Sequence, residues 1–288
     1  MPLISSTAML RQARANHYAI PAFNVHTLEM LQAVVEAALE ARSPLIIQTT
    51  MGTVKHLGPK YLVSAASVAA DQSGLPIALH LDHCTDFSLL VQCIYAGYTS
   101  VMIDASMHSF EENVKRTSKV MEIAAAAGVN VEAELGKVGG VEDEIVVEER
   151  DALLADPEEC KLFVERTGVF TLAPAIGTAH GIYKGEPNID FARIERIAAL
   201  VETPLVLHGG SGIPGEQVKR AVQLGMAKVN VATELRIEFS NAIKTVFNDN
   251  TEENDPRKYM IPAKDAVKRL ALEKMELCGS FGKADQLK

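Results

Sequence analysis

The stretch PIALHLDH (Pro76–His83) is an apolar run that ends in an acid and a histidine. Its proline ends any preceding helix, and its short apolar run predicts a buried β-strand. Two later stretches, VFTLAPAIGTAH (Val169–His180) and PLVLH (Pro204–His208), have the same form and also end in histidine. The carboxyl ends of parallel strands gather on one face of a barrel. The three stretches therefore predict a parallel β-structure that brings their final histidines together.

The same kind of run recurs along the whole chain and alternates with helical patterns. One such pattern, Leu28–Arg42, has apolar residues at helical spacing behind a candidate N-cap, Thr27, and Asp190 is a candidate cap for FARIERIAALVE. The eight predicted strands are Tyr18–Val25, Pro44–Thr50, Pro76–His83, Ser100–Ser106, Asn130–Gly136, Val169–Gly177, Pro204–Ser211 and Lys228–Thr233.

Eight apolar runs, each followed by a helix, predict an α/β fold of the (β/α)8 TIM-barrel type. The alternative is an open, doubly wound sheet. Such a sheet usually has fewer strands and a glycine-rich turn after the first one, whereas NVHTLEM (Asn24–Met30) contains no glycine. The barrel is therefore the favoured fold, as a single domain over 1–288.

Two segments exceed the minimum that a barrel needs. The acidic segment at about 137–157 follows the fifth strand and is predicted to be an active-site lid, with a solvated surface loop as the alternative. After the eighth strand, a helix at Glu234–Phe247 leads into a C-terminal helical extension at about 248–288, with its last helix at Ala263–Cys278.

Composition narrows the possible partners. The net charge of −9 argues against nucleic acid or an anionic membrane as a partner. The four cysteines form no CxxC pair, and the first residues resemble no signal peptide, so we expect a cytoplasmic protein with reduced thiols.

Cys84 follows His83 directly, and successive strand residues face opposite ways. Cys84 is therefore predicted to be a small buried hydrophobic residue and not a metal ligand.

All eight predicted strands carry polar side chains at or near their carboxyl ends, where barrel enzymes build their active sites. These residues are Asn24, Thr49, Thr50, Asp82, His83, Asp104, Glu134, His180, His208, Ser211, Asn230 and Thr233. A polar group at any single strand end could be structural, but this explanation fits poorly when all eight strands have one. His80 lies deeper on its strand and is predicted to be a hydrogen-bonded core histidine.

Two kinds of site follow from these residue types. Three histidines with one open position are typical of a catalytic zinc site. The glycine-containing motifs HGIYKG (His180–Gly185), HGGSG (His208–Gly212) and NVATEL (Asn230–Leu235) would let the backbone approach an anion. Thr233 opens a helix, and the loops after the last two strands form the usual phosphate site of such barrels.

Together these elements resemble the class II, zinc-dependent ketose-bisphosphate aldolases, and most closely the tagatose-1,6-bisphosphate enzymes. The motifs that carry the resemblance are HLDH (His80–His83), VEAELG (Val131–Gly136), GGVED (Gly139–Asp143), AIGTAHG (Ala175–Gly181), VLHGGSG (Val206–Gly212) and KVNVATEL (Lys228–Leu235). The similarity extends from AIPAFN (Ala19–Asn24) through the DPRKYM segment to the C-terminal helix.

The resemblance implies a role for each matching residue. His83, His180 and His208 match the zinc ligands, Asp104 and Glu134 match carboxylates that hold the metal in an alternative position, and Asp82 and Glu142 match the two residues that transfer protons. The substrate-binding residues implied are Asn24, Gly181, Lys184, Gly209, Gly210, Ser211, Asn230, Val231, Ala232, Thr233 and, for the distal phosphate, Arg257. The family further implies a monovalent cation (Na⁺ or K⁺), a homodimer or homotetramer, and in the tagatose enzymes a non-catalytic accessory subunit.

Such an enzyme would cleave a ketose 1,6-bisphosphate reversibly to dihydroxyacetone phosphate and glyceraldehyde 3-phosphate. A Schiff-base lysine is the other known solution, but the sixth predicted strand has none, and Lys137 and Lys184 lie in loops. The position of Ala232 favours the tagatose epimer because the fructose enzymes usually have Asp or Asn there. GGSGIP (Gly209–Pro214) departs from the tagatose pattern and keeps the fructose epimer as the alternative.

Two other classes of protein are less consistent with the sequence. A metal-dependent hydrolase on a barrel would typically have an HxH pair near the end of the first strand, and NVHTL has a single histidine. A non-catalytic barrel subunit should have lost the histidines or Asp82, and this chain has kept them all.

Overall fold

The structure, a computed structural model, describes residues 2–142, 145–148, 152–183 and 185–287. Its strands are β1 (Ile20–Asn24), β2 (Leu45–Thr50), β3 (Ile77–Cys84), β4 (Ser100–Ile103), β5 (Asn130–Leu135), β6 (Gly139–Glu142), β7 (Ile145–Val147), β8 (Thr171–Pro174), β9 (Ala179–His180), β10 (Leu205–Leu207) and β11 (Met226–Val231). Eight of them close a barrel in the order β1-β11-β10-β8-β5-β4-β3-β2, and all the neighbouring pairs are parallel. The predicted TIM barrel is confirmed.

Helices surround the barrel and connect its strands. They are α1 (Ser6–Ala15), α2 (Leu28–Ala41), α3 (Met51–Leu57), α4 (Pro59–Ser73), α5 (Phe87–Ala96), α6 (Phe110–Ala127), α7 (Pro157–Thr167), α8 (Phe191–Leu200), α9 (Gly215–Gln223), α10 (Thr233–Asp249) and α11 (Pro256–Leu277), with a 3-10 helix at Lys283–Leu287. Thr27 and Asp190 cap α2 and α8, as predicted, by accepting hydrogen bonds from the backbone N–H groups of Met30 and Arg193.

Every residue of the barrel strands is buried, because helices cover the outside and side chains fill the inside. Helix α1 closes the amino-terminal end of the barrel. Its Met9 and Leu10 pack in one apolar cluster with Ile20, Ile46 and Ala78. Ser6 of the same helix donates a buried hydrogen bond to Oγ of Ser100, so packed side chains close this end and the candidate site lies at the opposite end.

The sixth barrel strand is shorter than predicted. The sequence predicts a strand at Val169–Gly177, but β8 ends at Pro174, which has no N–H group to continue the ladder. Gly177 then turns with φ +94°, and a Cβ there would lie 2.2 Å from the carbonyl oxygen of Asn188. His180 was predicted to end a barrel strand. It lies instead on the separate short strand β9.

Strand β9 joins the segment predicted to be the lid. Strand β6 pairs antiparallel with β7 and parallel with β9, which places Gly140 opposite His180. A Cβ at Gly140, whose φ is +103°, would lie 2.1 Å from the carbonyl oxygen of His180, so this contact requires glycine. The small sheet connects the predicted lid directly to one of the three histidines.

The C-terminal extension packs on the barrel. Helix α11 lies against α2, to which Lys264 and Lys268 form ion pairs with Glu36 and Glu40 at 2.6 and 2.9 Å. The helix begins at Pro256, seven positions before the predicted Ala263, because Asp255 caps it and proline is favourable in the first turn. The internal Pro262 obscured that start in the sequence.

Among the described residues, no helix has the length and apolar character needed to span a membrane. The organisation of 1–288 as a single domain, with a lid and a C-terminal extension, stays a prediction.

Candidate active site

Three histidines meet at the carboxyl-terminal end of the barrel. His83 lies within β3, His180 on β9, and His208 directly after β10. Their ring centroids are 4.6 Å (His83–His208), 4.7 Å (His83–His180) and 5.8 Å (His180–His208) apart. One ring nitrogen from each lies within 4.8 Å of the others, a distance that one metal ion could bridge. The structure therefore brings together the three predicted zinc ligands.

The backbone at His83 is strained. Its φ is +45°, in the left-handed region that residues other than glycine seldom adopt. The pairing register between β3 and β4 also shifts between Leu81 and Cys84, which is where this residue lies. Strain of this kind concentrates at functional sites, where the surrounding structure maintains it.

Carboxylates orient two of the three imidazoles. The Nδ1 atom of His83 lies 2.8 Å from Oδ2 of Asp104, and the Nδ1 atom of His208 lies 2.9 Å from Oε2 of Glu134. Burial lowers the pKa of His83, but the carboxylates of Asp82 and Asp104 more than offset it and raise that pKa well above its usual value. Asp104 and Glu134, the predicted alternative metal ligands, thus lie beside the histidines.

His180 has a different environment. Burial, followed by the neighbouring His83 and His208, holds its pKa well below the usual value, so its imidazole is neutral. Its buried Nε2 atom has no hydrogen-bond partner among the described residues. A neutral imidazole with an unpaired buried nitrogen, beside two carboxylate-oriented histidines, fits the donor set of a divalent metal ion.

Asp82 lies next to this cluster and is buried. Its carboxylate accepts hydrogen bonds from Nδ2 of Asn24 at 2.8 Å, from Nε2 of Gln48 at 3.3 Å and from Nδ2 of Asn230 at 3.3 Å. Burial alone would raise the pKa of Asp82, but the charges of His83 and Lys228 lower it. The carboxylate is therefore ionised and ready to accept a proton at neutral pH.

The loops that follow β9, β10 and β11 form one wall of a small cleft at this end of the barrel. The hydroxyl of Ser211 accepts hydrogen bonds from the backbone N–H groups of Ala232 and Glu234, at the start of α10. Tyr183 connects the loops, accepting from Ala179 N and donating to Gly209 O, each at 2.9 Å. The cleft is lined by Asn24, Asp82, His83, His180, Gly181, Gly209, Gly210, Ser211, Asn230, Ala232 and Thr233.

Among the described residues, two of the predicted substrate-binding residues do not line this cleft. Arg257 lies at the start of α11, where its side chain is 84% exposed and pairs with Asp255 at 2.8 Å. Val231 is buried in the apolar core around the barrel. Lys184 and the side chain of Glu142 lie outside the part of the chain that the structure describes.

A polar layer that was not predicted from the sequence lies beneath the histidines. Glu132 on β5 and Lys228 on β11 form a buried ion pair, with Nζ 2.8 Å from Oε2. Burial raises the pKa of Glu132, but Lys228 and the hydrogen bond from His208 hold it well below its usual range. Lys228 begins the eighth predicted strand, whereas a Schiff-base lysine was expected only on the sixth, so this buried lysine was not predicted. The signal was the strand period of two, which puts Glu132 on the same face as Glu134.

His80 belongs to this deeper layer, and its prediction as a hydrogen-bonded core histidine is confirmed. Its Nδ1 atom lies 2.7 Å from Oγ of Ser100. Burial and the Lys228 charge lower its pKa to about 3, so it is a neutral core residue.

A closed parallel barrel with histidines, carboxylates and glycine-rich loops gathered at one end defines a TIM-barrel enzyme with a candidate metal centre. The family model for fructose-bisphosphate aldolase class-II matches residues 4–283, and the chain belongs to this family. It is therefore a class II aldolase, a carbon–carbon lyase.

Solved structures agree with this assignment. The chain is similar to the YdjI aldolase from Escherichia coli K12, with 36% identity, a TM-score of 0.86, and coverage of 98% of this chain and 99% of that one. A putative fructose-1,6-bisphosphate aldolase from Coccidioides immitis has 31% identity and a TM-score of 0.88, with 97% of both chains covered. The fructose-bisphosphate aldolase Fba from Campylobacter jejuni has 25% identity and a TM-score of 0.83, with 98% of this chain and 97% of that one covered.

Proposed function

We propose that this aldolase catalyses the reversible, metal-dependent cleavage of a ketose 1,6-bisphosphate, with tagatose-1,6-bisphosphate favoured, to dihydroxyacetone phosphate and glyceraldehyde 3-phosphate. The observation that carries the proposal is the cluster of His83, His180 and His208 beside a cleft that His83, His180 and the ionised Asp82 line. The test is a coupled cleavage assay with both ketose bisphosphates, with and without a chelator. If the protein cleaves neither sugar, the proposal is refuted.

The three histidines are the proposed ligands of one divalent ion, and class II aldolases are generally zinc-dependent. When bound, Zn²⁺ would supply a Lewis acid for the electrons left on the ketone half of the substrate as the C3–C4 bond breaks. Asp104 and Glu134 contact the Nδ1 atoms of His83 and His208 and orient their imidazoles. They are also the proposed ligands of an alternative metal position.

Asp82 is the proposed general base for cleavage. It would take the proton from the C4 hydroxyl and return it in the condensation direction. The amides of Asn24, Gln48 and Asn230 keep the carboxylate aimed into the cleft. Glu142 on β6 is the proposed residue that exchanges the C3 proton of dihydroxyacetone phosphate, and β6 is connected through β9 to His180.

The glycine loops and the start of α10 are the proposed site for the phosphate of the ketone half. The protein carries a net charge of −9, so positive potential for a phosphate must be created locally. Backbone N–H groups at a helix N-terminus provide it, and a monovalent cation (Na⁺ or K⁺) would add to it. The proposed contacts are Gly181, Lys184, Gly209, Gly210, Ser211, Asn230 and Thr233, whereas Val231, with its side chain in the apolar core, could contribute only its backbone.

Ala232 is the proposed determinant of substrate choice, because it lines the cleft and offers only a methyl group. Fructose and tagatose bisphosphates differ only at C4, and an alanine leaves that hydroxyl to other partners. A site that leaves space without a hydrogen bond discriminates weakly, so we expect some cleavage of the fructose epimer as well. Two of the related structures are named as fructose-bisphosphate aldolases, which keeps the fructose epimer as the second candidate.

The first prediction concerns Ala232 and the choice between the two epimers. Ala232→Asp should shift the ratio of kcat/KM toward fructose-1,6-bisphosphate by about 1–2 kcal/mol, the scale of one hydrogen bond to a charged group. The measurement is kcat/KM for both epimers in both proteins. Ala232→Leu is the matched control, because its side chain has nearly the same shape as Asp but no hydrogen-bonding group. If the unsubstituted enzyme already cleaves the fructose epimer more efficiently than the tagatose epimer, the argument from Ala232 is wrong. Fructose-1,6-bisphosphate then replaces tagatose-1,6-bisphosphate as the proposed substrate.

The second prediction concerns the distal phosphate. If Arg257 contacts it, Arg257→Met should lower kcat/KM for the bisphosphate by about 10- to 100-fold, the scale of a lost charged hydrogen bond, and leave a ketose 1-phosphate unaffected. Arg269→Met on the same helix serves as the control for the loss of one positive charge. Equal effects on both substrates, or on neither, would show that Arg257 does not bind the distal phosphate.

Oligomeric state and partners complete the proposal. We expect a homodimer or homotetramer in the cytoplasm, with or without a non-catalytic accessory subunit, and no nucleic-acid or membrane partner. Size-exclusion chromatography with light scattering would measure the oligomeric state.

A further inference from the structure

A buried ion pair lies beneath the three histidines and contacts one of them. The ammonium of Lys228 lies 2.8 and 3.1 Å from the two carboxylate oxygens of Glu132. Oε1 of the same carboxylate lies 2.9 Å from Nε2 of His208. The side chains of all three residues are only 1% exposed, so water does not screen these contacts.

Both ring nitrogens of His208 face carboxylates, on opposite sides. On the Nδ1 side, Glu134 forms a group with His83 and Asp104, whereas on the Nε2 side Glu132 forms a group with His80 and Asp82. The Nδ1 side is therefore the one that faces the proposed metal ligands. A metal ion among the histidines would bind His208 through Nδ1, which requires the proton of the neutral ring to be on Nε2.

We infer that the Lys228–Glu132 pair is a positioning element that keeps the proton of His208 on Nε2 and so leaves Nδ1 free for the metal. The inference rests on the proposed metal site. An ionised carboxylate can only accept, so Glu132 keeps the proton on Nε2 while the metal takes the place of the proton that Nδ1 shares with Glu134. Lys228 offers only donors and fixes the orientation of the carboxylate. Carboxylates behind metal-bound histidines commonly select the tautomer in this way.

The substitution Glu132→Gln tests this role because it keeps the shape and removes one acceptor. In the variant, the amide oxygen turns to the shorter contact with Lys228, and the NH₂ group then points at Nε2 of His208. A donor at that position favours the opposite tautomer, with the proton on Nδ1. We expect Zn²⁺ affinity, measured by chelator competition, to fall by about 10- to 100-fold. The visible spectrum of the Co²⁺-loaded protein should change as well.

A second variant separates this role from simple stabilisation. In Glu132→Gln/Lys228→Met no ammonium competes for the amide oxygen, which can then accept from His208, so most of the lost Zn²⁺ affinity should return. The double variant also leaves no unpaired charge buried, so it is expected to fold. Lys274→Met is the control, because it breaks the partly exposed Lys274–Glu234 pair, of length 2.6 Å, which does not contact the histidines. Its Zn²⁺ affinity should match that of the unsubstituted protein.

The outcomes distinguish the inference from the proposed function. Unchanged Zn²⁺ affinity and an unchanged Co²⁺ spectrum in Glu132→Gln would overturn the inference while leaving the metal site intact. Equal losses in the single and double variants would show that Lys228 does not orient the carboxylate, and would overturn the inference as stated. Failure of the unsubstituted protein to bind Zn²⁺ would refute the metal site and the inference together.

Discussion

Removal of the divalent metal is expected to abolish aldol cleavage, and added Zn²⁺ or Co²⁺ is expected to restore it. The physical reason is that His83, His180 and His208 supply nitrogen donors but no acid strong enough to stabilise the electrons of the broken bond. A Lewis acid contributes several kcal/mol to such a step, which corresponds to loss of activity to background. The measurement is the cleavage rate after dialysis against a chelator, alongside the metal content of the same sample.

Single substitutions locate the metal. Alanine at His83, His180 or His208 should lower both metal content and activity, whereas Cys84→Ala should lower neither. Cys84 is the matched control because it adjoins His83, but its thiol donates to the backbone oxygen of Asp86, and burial raises its pKa to about 12. A metal-free preparation with full activity would refute the whole mechanism. Loss of metal in Cys84→Ala would show that the ligand set is wrong.

The barrel could be predicted because each of its strands is determined by a short, continuous stretch of sequence. Each strand is a short apolar run buried on both faces, and several are preceded by proline, as in Pro76–His83. Each observed barrel strand overlaps its predicted run. The alternation of strands and helices makes the strands parallel, so their carboxyl ends meet at one end of the barrel. The sixth strand was overestimated because apolar residues continue beyond Pro174, while the hydrogen-bond ladder ends one residue later with Ala175 N–H to Leu135 O, before the turn at Gly177. Apolar character alone does not reveal that stop.

The polar layer inside the barrel could not be predicted in the same way. Glu132 and Lys228 are separated by 96 positions, and their contact depends on how the strands close around the barrel axis. The strand period places Glu132 and Glu134 on one face, but the identity of their partners requires the register of β5 and β11. The sequence could therefore identify which residues point inward, and the structure was needed to pair them.

The contacts of Asp82 could be anticipated only in part. Its position beside His83 was evident from HLDH, but the amide of Gln48 was not expected in the site. Gln48 donates to Asp82 and also to Oδ1 of Asn24 at 2.6 Å. Together with Asn24 on β1 and Asn230 on β11, Gln48 on β2 holds the carboxylate from three strands. Gln48 precedes the end of β2 by two residues and shares the face of Thr50, which is the signal that was available.

The second prediction with a large effect concerns this carboxylate. Asp82→Ala and the isosteric Asp82→Asn should each reduce kcat for cleavage by ~10²-fold or more, because both remove the group that accepts the C4 hydroxyl proton. KM and Zn²⁺ content should change little, since Asp82 is not one of the three proposed histidine ligands. The measurements are steady-state kinetics with the preferred ketose bisphosphate and metal analysis of each purified variant.

Exchange of the C3 proton of dihydroxyacetone phosphate separates chemistry from structure at Asp82. That exchange does not involve the C4 hydroxyl, so Asp82→Asn should retain it while cleavage is lost. Thermal unfolding of the metal-loaded variants provides the control for folding, and the asparagine keeps the volume that Asn24, Gln48 and Asn230 enclose. If Asp82→Asn loses metal, exchange and cleavage together, the carboxylate maintains the site and is not its base. If it retains cleavage, another residue accepts the proton.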